Sequence, residues 1–148
     1  MIYVWDTNIL LHVVRNEDYL ENLNKKYDFL NPLNDVYISV VSIGEIYSLA
    51  LSNRWGQKKM QRLEKQIEKV KTIPINNDPS IIKLYSEIDV FSKNQHPALK
   101  MSGSARKMGK NDLWIAATTA IYNGTLLSTD NDFSHLEGLF LYFDKIEM

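Results

Sequence analysis

The regular alternation of short β-rich runs with helical segments is what most constrains the fold of this chain. Runs of apolar, aromatic and β-branched residues predict strands at 2–5, 36–41, 72–75, 126–129 and 140–143. Strands that alternate with helices are typical of βαβ units, in which helices cover a mostly parallel sheet. The fold class predicted from this pattern is therefore α/β.

The helices between these strands are predicted by the spacing of apolar residues and by residues that favour helix ends. They are expected at 9–14, 17–30, 42–51, 57–71, 78–91 and 112–122. Thr7 or Asn8 is expected to cap the first helix, and Ser42 to start the third. Residues 93–110 contain proline, glycine and serine, so we expect a loop there.

Length and composition favour one soluble globular domain that spans residues 1–148. The chain is 45% hydrophobic and 24% charged, and it is long enough to bury a core. It has no cysteine, which excludes disulfide scaffolds, thiolate metal sites and cysteine nucleophiles. No signal peptide and no apolar run of membrane-spanning length is recognisable, so we expect a cytoplasmic protein without membrane contact.

Four acids are predicted to meet at one edge of the sheet. Asp6 directly follows the first strand, and Asp130 follows the fourth. Glu45 and Asp112 are expected in the first turns of helices at the same edge, where parallel sheets bind their ligands. Carboxylates gathered in this way repel one another unless a cation lies between them. Oxygen ligands alone select a hard ion such as Mg²⁺ or Mn²⁺, so the pattern predicts a metal site.

Each of these acids also has a purely structural interpretation. Asp6 and Asp112 could cap helices, and Asp130 could belong to an Asp-Asn-Asp turn. Glu45 lies three residues after Ser42, which is the spacing of a capping box. The joint occurrence of all four at one sheet edge favours the metal site over four separate caps and turns.

Other catalytic and cofactor-binding patterns are poorly represented in this chain. The three histidines, His12, His96 and His135, form no metal-binding pair and no evident catalytic triad. The glycine-rich motifs that cradle nucleotide phosphates are absent. We therefore expect the histidines to have surface or packing roles.

Basic residues are concentrated in one segment, although the net charge of the chain is only −1. Between 93 and 110 there is no acid, and the basic residues are Lys93, Lys100, Arg106, Lys107 and Lys110. These five are candidates for contact with phosphate groups. A second candidate patch comprises Arg54, Lys58, Lys59 and Arg62.

Three blocks of the sequence resemble the signature blocks of PIN-domain ribonucleases, and most of all the VapC-type toxins of bacterial toxin–antitoxin pairs. They are YVWDTNIL (3–10), SVVSIGEIYSLAL (39–51) and KNDLWIAATTAIYNGTLLSTDNDFSHLEGL (110–139). The resemblance implies a Rossmann-like, three-layer α/β/α sandwich around a parallel sheet of four or five strands. The connection at 93–110 is longer than is usual in this family.

The resemblance also assigns roles to individual residues of the three blocks. The metal-binding and catalytic acids of the family map onto Asp6, Glu45, Asp112 and Asp130, with Asp132 at an additional position that is often acidic or polar. Asn8 matches a polar residue that orients the first aspartate, and Thr129 matches the hydroxyl residue before the fourth acid.

The activity implied by the resemblance is Mg²⁺-dependent endoribonucleolytic cleavage of RNA, often tRNA. The resemblance further implies a homodimer and a cognate antitoxin whose tail lies over the acidic pocket and supplies arginine to it. Apolar residues on the helices at 17–30 and 57–71 are candidate interfaces.

Three alternatives to a toxin are a housekeeping PIN nuclease, a non-catalytic RNA- or protein-binding module, and a phosphoacceptor signalling domain. Intact acids at all four positions argue against the binding module. A phosphoacceptor domain requires paired acids after the first strand, whereas Asp6 is followed by threonine and asparagine.

Overall fold

The computed structural model describes all 148 residues, and its centre is a fully parallel sheet of five strands. The strands are β1 (Ile2–Trp5), β2 (Asp35–Ser39), β3 (Lys71–Ile73), β4 (Thr125–Ser128) and β5 (Tyr142–Lys145). Their order across the sheet is β3-β2-β1-β4-β5, so β1 lies in the middle. This arrangement confirms the predicted α/β class and the central parallel sheet.

Six α-helices connect the strands. They are α1 (Thr7–Arg15), α2 (Glu17–Tyr27), α3 (Val40–Ser52), α4 (Gln57–Lys69), α5 (Pro79–Ser92) and α6 (Lys110–Ile121). One turn of 3-10 helix, Ser134–Leu136, precedes β5. No helix combines the length and the apolar character needed to cross a membrane.

Alternating side chains of the strands divide the interior into two cores. Val4 and Leu126 are buried in a core shared with α5 and α6. Their neighbours Trp5 and Leu127 are buried in a second core shared with α1, α2, α3 and α4. Because successive side chains of a strand point to opposite faces, the central strands β1 and β4 contribute to both cores. The result is the three-layer α/β/α sandwich.

Three helix starts differ from the sequence-based predictions, and one of them is that of α6, which begins at Lys110 instead of Asp112. Helix α1 begins at Thr7 and is capped by Asp6, so the expected cap at Thr7 or Asn8 is wrong. Helix α3 begins at Val40, because the hydroxyl of Ser39 caps it by accepting a hydrogen bond from the amide of Val41 at 3.1 Å. Strand β2 therefore passes directly into α3, two residues earlier than the predicted start.

The earlier start of α3 removes the capping-box interpretation of Glu45. Ser42 is not the cap but a fully buried residue in the first turn, and Glu45 lies in the second turn. The prediction that Glu45 stands in the first turn is therefore wrong as well. Its carboxylate is free to face the carboxyl edge of the sheet rather than the backbone at the helix end.

The segment 93–109 contains no helix or strand, as predicted, but it is held firmly against the body of the protein. Met101 and Met108 are buried in the core with α5 and α6. The backbone amide of Arg106 donates a hydrogen bond to the carbonyl of Ser92 at 2.6 Å, at the end of α5. This anchored segment leads directly to the first turn of α6.

Candidate active site

Asp6 stands where the central strand ends and α1 begins. Its backbone amide donates to the carbonyl of Leu127 at 3.0 Å, which extends the pairing of β1 with β4 by one residue. The side chain is buried, with only 5% exposed. One carboxylate oxygen accepts a hydrogen bond from the amide of Thr7 at 2.7 Å. An acid can therefore end an apolar strand here because it caps the helix that follows.

Ser128 joins the first acid to the fourth. Its hydroxyl donates to the other carboxylate oxygen of Asp6 at 2.8 Å, and it accepts a hydrogen bond from the amide of Asp130 at 3.3 Å. Thr129, the hydroxyl residue selected from the sequence, is half-buried and makes no hydrogen bond to a site acid. A serine at the buried end of an apolar strand was the signal that could have identified Ser128.

The two residues after Asp6 hold two further acids. The side-chain amide of Asn8 donates to Asp130 Oδ2 at 3.0 Å. The hydroxyl of Thr7 donates to Glu45 Oε1 at 2.8 Å. The expectation that Asn8 orients Asp6 is wrong, because the first turn of α1 faces the loop after β4. Thr7 was not predicted as a site residue, although it belongs to the same D-T-N motif.

Asp112 and Asp132 approach from the other side of the site. Asp112 lies in the first turn of α6, where the helix dipole favours negative charge. The cap of this helix, Gly109, contributes no side chain. Asp132 belongs to the predicted Asp-Asn-Asp turn, since its amide donates to Asp130 Oδ1 at 3.0 Å. Asp112 and Asp132 line one cleft, so the turn serves to place Asp132 opposite α6.

Burial and mutual repulsion make two of these carboxyls unusually weak acids. The pKa of Asp6 is raised to about 7, mainly by burial and also by the charges of Asp130 and Asp112, although the hydrogen bonds from Ser128 and Thr7 lower it. Burial also raises the pKa of Asp112 to about 6, together with the charges of Asp132, Glu45 and Asp130. The charges of neighbouring site acids thus contribute to the raised pKa of both Asp6 and Asp112.

The chemistry of this donor set fits a hard divalent cation. All the side chains that could ligate at this edge are oxygen donors, and the carboxylates repel one another without a positive charge between them. No three acids or histidines stand in an arrangement that would hold a metal ion as they are. Several of their oxygens are instead engaged by Thr7, Asn8 and Ser128. Binding an ion therefore requires small movements of these side chains toward it.

The histidines lie outside this site, as expected. His12 packs against Tyr19, His96 accepts hydrogen bonds from the amides of Ala98 and Leu99, and His135 contacts the hydroxyl of Ser92. None of them hydrogen-bonds to a site acid. A histidine general base is thus not part of this arrangement.

The five basic candidates of the segment 93–110 do not lie together. Arg106 and Lys107 line the cleft that contains Asp112 and Asp132. Lys93 instead forms an ion pair with Asp89 at 2.9 Å. Lys100 and Lys110 are exposed and do not line this cleft. Only two of the five candidates therefore line the cleft that holds Asp112 and Asp132.

The second basic patch is partly used for packing. Arg62 donates a hydrogen bond to the carbonyl of Val14, near the end of α1. The ammonium group of Lys59 lies over the ring of Trp55, 4.0 Å from its centroid. These contacts are at the opposite end of α1 from Asp6, so this patch does not contribute to the acidic site.

Proteins with similar sequences and structures share this fold. Ribonuclease VapC1 from Haemophilus influenzae is 24% identical over 128 residues, which is 86% of this chain and 86% of that protein. The structure of VapBC-1 from nontypeable Haemophilus influenzae superimposes with a TM-score of 0.72 at 21% identity, covering 98% of each chain. VapBC2 from Rickettsia felis, bound to a DNA fragment from its promoter, gives 0.71 at 19% identity and covers 99% of this chain and 100% of that chain.

A protein-family match also covers most of the chain. The PIN domain matches residues 3–139, a range that contains Asp6, Glu45, Asp112, Asp130 and the strand-helix alternation around them. The resemblance inferred from the three sequence blocks is thereby confirmed. The chain belongs to the PIN domain family.

Proposed function

We propose that this protein is a metal-dependent endoribonuclease and the toxin of a VapBC-type toxin–antitoxin pair. The observation that supports the enzymatic proposal most strongly is the convergence of buried, mutually repelling carboxyls at the carboxyl edge of the sheet. Asp6 and Asp112, from opposite parts of the chain, both have a raised pKa for this reason. The similarity to ribonuclease VapC1 supports RNA as the substrate.

In the mechanism we infer, the chain's acids hold Mg²⁺ or Mn²⁺ and orient the attacking water. The bound ion supplies a water of lowered pKa and stabilises the charge that develops on the phosphate. Asp6 and Asp112 would be its principal ligands, and Glu45 and Asp130 would complete the shell directly or through water. Hydrolysis would then require no histidine base.

Three hydroxyl and amide side chains have a positioning role in this mechanism. Ser128, Thr7 and Asn8 each donate to one oxygen of Asp6, Glu45 and Asp130, respectively. Each bond fixes the position of one carboxylate oxygen and thereby defines the orientation of the carboxylate. Hydrogen bonds of this kind restrict the orientations that metal-binding side chains can adopt.

We infer that the substrate is a single-stranded loop of a structured RNA, such as a tRNA. Bases in such loops can be splayed apart, whereas the grooves of an RNA duplex display little that side chains can read. The acidic site lies at an open sheet edge rather than in a deep tunnel, since Asp112 and Asp132 border an accessible cleft. A strand without a paired partner fits this edge.

Metal-dependent cleavage is the direct test of the proposed activity. We expect the purified protein to cut loop-containing RNA in Mg²⁺ or Mn²⁺, and to lose this activity in EDTA. Gel analysis of end-labelled RNA would show internal cuts. A protein that binds RNA but leaves it intact under all these conditions would instead be the non-catalytic binding module.

A groove between α2 and α4 supports the proposal of a protein partner. Its volume is about 590 Å³. Its apolar lining consists of Trp5, Leu20, Phe29, Leu30, Val36 and Val70, and its rims carry Glu17 and Glu21 on α2, and Gln66 and Lys69 on α4. We infer that an amphipathic helix of the antitoxin binds here, and that its tail continues to the acidic pocket. Only part of the predicted apolar stripes is free for this contact, since Leu23 and Leu63 are buried.

A matched pair of leucines tests this partner surface. Leu30 is 83% exposed in the groove, and Leu51 is 80% exposed on α3 outside it. We expect Leu30→Glu to weaken binding of the antitoxin encoded beside this gene by roughly tenfold or more, because burial of one leucine contributes roughly 1.5–3 kcal/mol. Leu51→Glu should leave the affinity unchanged. Equal effects of the two variants in a calorimetric titration would contradict the assignment.

The housekeeping alternative and the homodimer depend on two other measurements. A neighbouring reading frame for a short DNA-binding protein favours the toxin, and its absence favours a nuclease of RNA processing. We propose a homodimer from the family resemblance, and sedimentation equilibrium of the free protein measures it.

A further inference from the structure

A cleft of about 390 Å³ lies between the segment 93–109 and the acidic turn after β4. Arg106 and Lys107 line it together with Asp112, Asn131 and Asp132. Its lining is almost entirely polar, since Met108 is the only hydrophobic residue in it. A cleft with this composition is suited to a charged, hydrated ligand rather than to an apolar one.

The backbone on both sides of Lys107 is fixed. Before it, the guanidinium of Arg106 donates to the carbonyl of Asn131 at 2.9 Å and to the hydroxyl of Ser134 at 3.3 Å. After it, Met108 is buried and its sulfur accepts a hydrogen bond from Ser92 at 3.2 Å. Lys107 is thus carried by a rigid support, which lowers the entropy lost when it binds a ligand.

Opposite charges line this cleft without pairing. No salt bridge joins Arg106 or Lys107 to Asp112 or Asp132, although five other ion pairs form elsewhere in the structure. Lys107 is exposed and has no hydrogen-bond partner. Lys107 therefore remains available to an anion that enters the cleft.

We propose that Lys107, supported by Arg106, binds a backbone phosphate of the RNA strand next to the acids. This proposal rests on the proposed nuclease function and adds a substrate contact to that site. A phosphate that neighbours the cleaved one fits here, because its anionic oxygens would face Arg106 and Lys107 beside the acids. Arg106 has a positioning role in addition, since it ties the segment to the acidic turn.

Binding of a single-stranded RNA oligonucleotide to the Asp6→Asn protein, followed by fluorescence anisotropy, tests this contact separately from cleavage. We expect Lys107→Gln to weaken binding by roughly three- to tenfold and to reduce the salt slope of log K by about 0.7, the value for one phosphate on a single strand. Lys107→Arg should restore both. Lys83→Gln, an exposed lysine on α5 away from the cleft, is the matched control and should change neither.

Kinetics with otherwise wild-type protein add a second readout. We expect Lys107→Gln to raise KM by the same factor and to change kcat less than about twofold, because the contact binds substrate away from the reacting atoms. Equal salt slopes for the Lys107 and Lys83 variants would overturn the proposal. So would a Lys107 effect seen only with poly-glutamate as the probe, which would identify an acidic peptide as the ligand. A failure of the wild-type protein to cleave RNA would count against the nuclease function but leave the binding comparison valid.

Discussion

Replacing Asp6 with asparagine should lower RNA cleavage by about 100-fold or more and leave the metal-free protein as stable as the wild type, or more stable. Asp6 is a buried carboxyl whose pKa is raised by burial to about 7. Its ionisation therefore costs free energy in the folded state. Asparagine has the same shape and can still accept from Thr7, while the hydroxyl of Ser128 can turn to accept instead of donate.

The stability gain from this substitution should depend on pH in a defined direction. With a folded pKa near 7 and an ordinary value of 3.8, the folded protein binds more protons than the unfolded chain between these pH values. Asp6 therefore favours the folded state at low pH, and this advantage is lost as the pH rises through 7. The Asp6→Asn variant should match the wild type near pH 4 and exceed it near pH 8, by up to roughly 4 kcal/mol.

Urea denaturation in EDTA between pH 4 and pH 8 measures this difference. Asp35→Asn is a suitable control. Asp35 is an accessible acid at the start of β2, at the end of the strand away from the acidic site, and it pairs only with Lys71. Surface pairs of this kind contribute about 0–1 kcal/mol, so its effect should be small at every pH. Unfolding of the Asp6→Asn protein at pH 8 would assign Asp6 a structural role in place of a metal-binding one.

Mg²⁺ or Mn²⁺ should raise the melting temperature of the wild-type protein markedly. An ion present at 100 times its dissociation constant stabilises the folded state by about 2.7 kcal/mol if it binds only that state. For a domain of this length, such a gain corresponds to roughly 5–10 °C. The physical origin is the neutralisation of carboxylates that repel one another, including Asp112, whose pKa is raised to about 6.

The same titration of Asp112→Asn identifies where the ion binds. With one of its principal ligands neutral, the shift in melting temperature should shrink to a small fraction of the wild-type value. Addition of EDTA should reverse the shift, and KCl of equal ionic strength should not reproduce it. An unchanged shift in the variant would place the ion elsewhere on the protein.

Much of the fold could be predicted because the sequence pattern is dictated by burial. Strand β1 is apolar throughout, being covered on both faces, and its end is marked by the acid that caps α1. Parallel strands bring their carboxyl ends to one edge, so Asp6 and Asp130 were expected to be neighbours. The hydrogen bonds through Ser128 confirm that they are.

The missed details depend on side-chain directions, which local sequence does not determine. Asn8 was expected to orient Asp6, yet it bonds to Asp130, because the pairing depends on how α1 is rotated against the loop after β4. Helix α3 was expected to start at Ser42, but the hydroxyl of Ser39 caps it and the helix begins at Val40. The anchoring of 93–109 depends on the burial of two methionines. The glycine, serine and basic residues around them predict a loop but do not indicate that it is anchored.

The position of β1 determines when the acidic site can assemble during synthesis of the protein. The contacts Ser128–Asp6 and Asn8–Asp130 each span 122 residues, so the beginning and the end of the chain must meet before the acids can assemble. A polypeptide still emerging from the ribosome lacks β4 and the loop after it until residue 130 has been translated. The acidic site cannot assemble before that point, so the activity proposed for it would be absent from the shorter nascent chain.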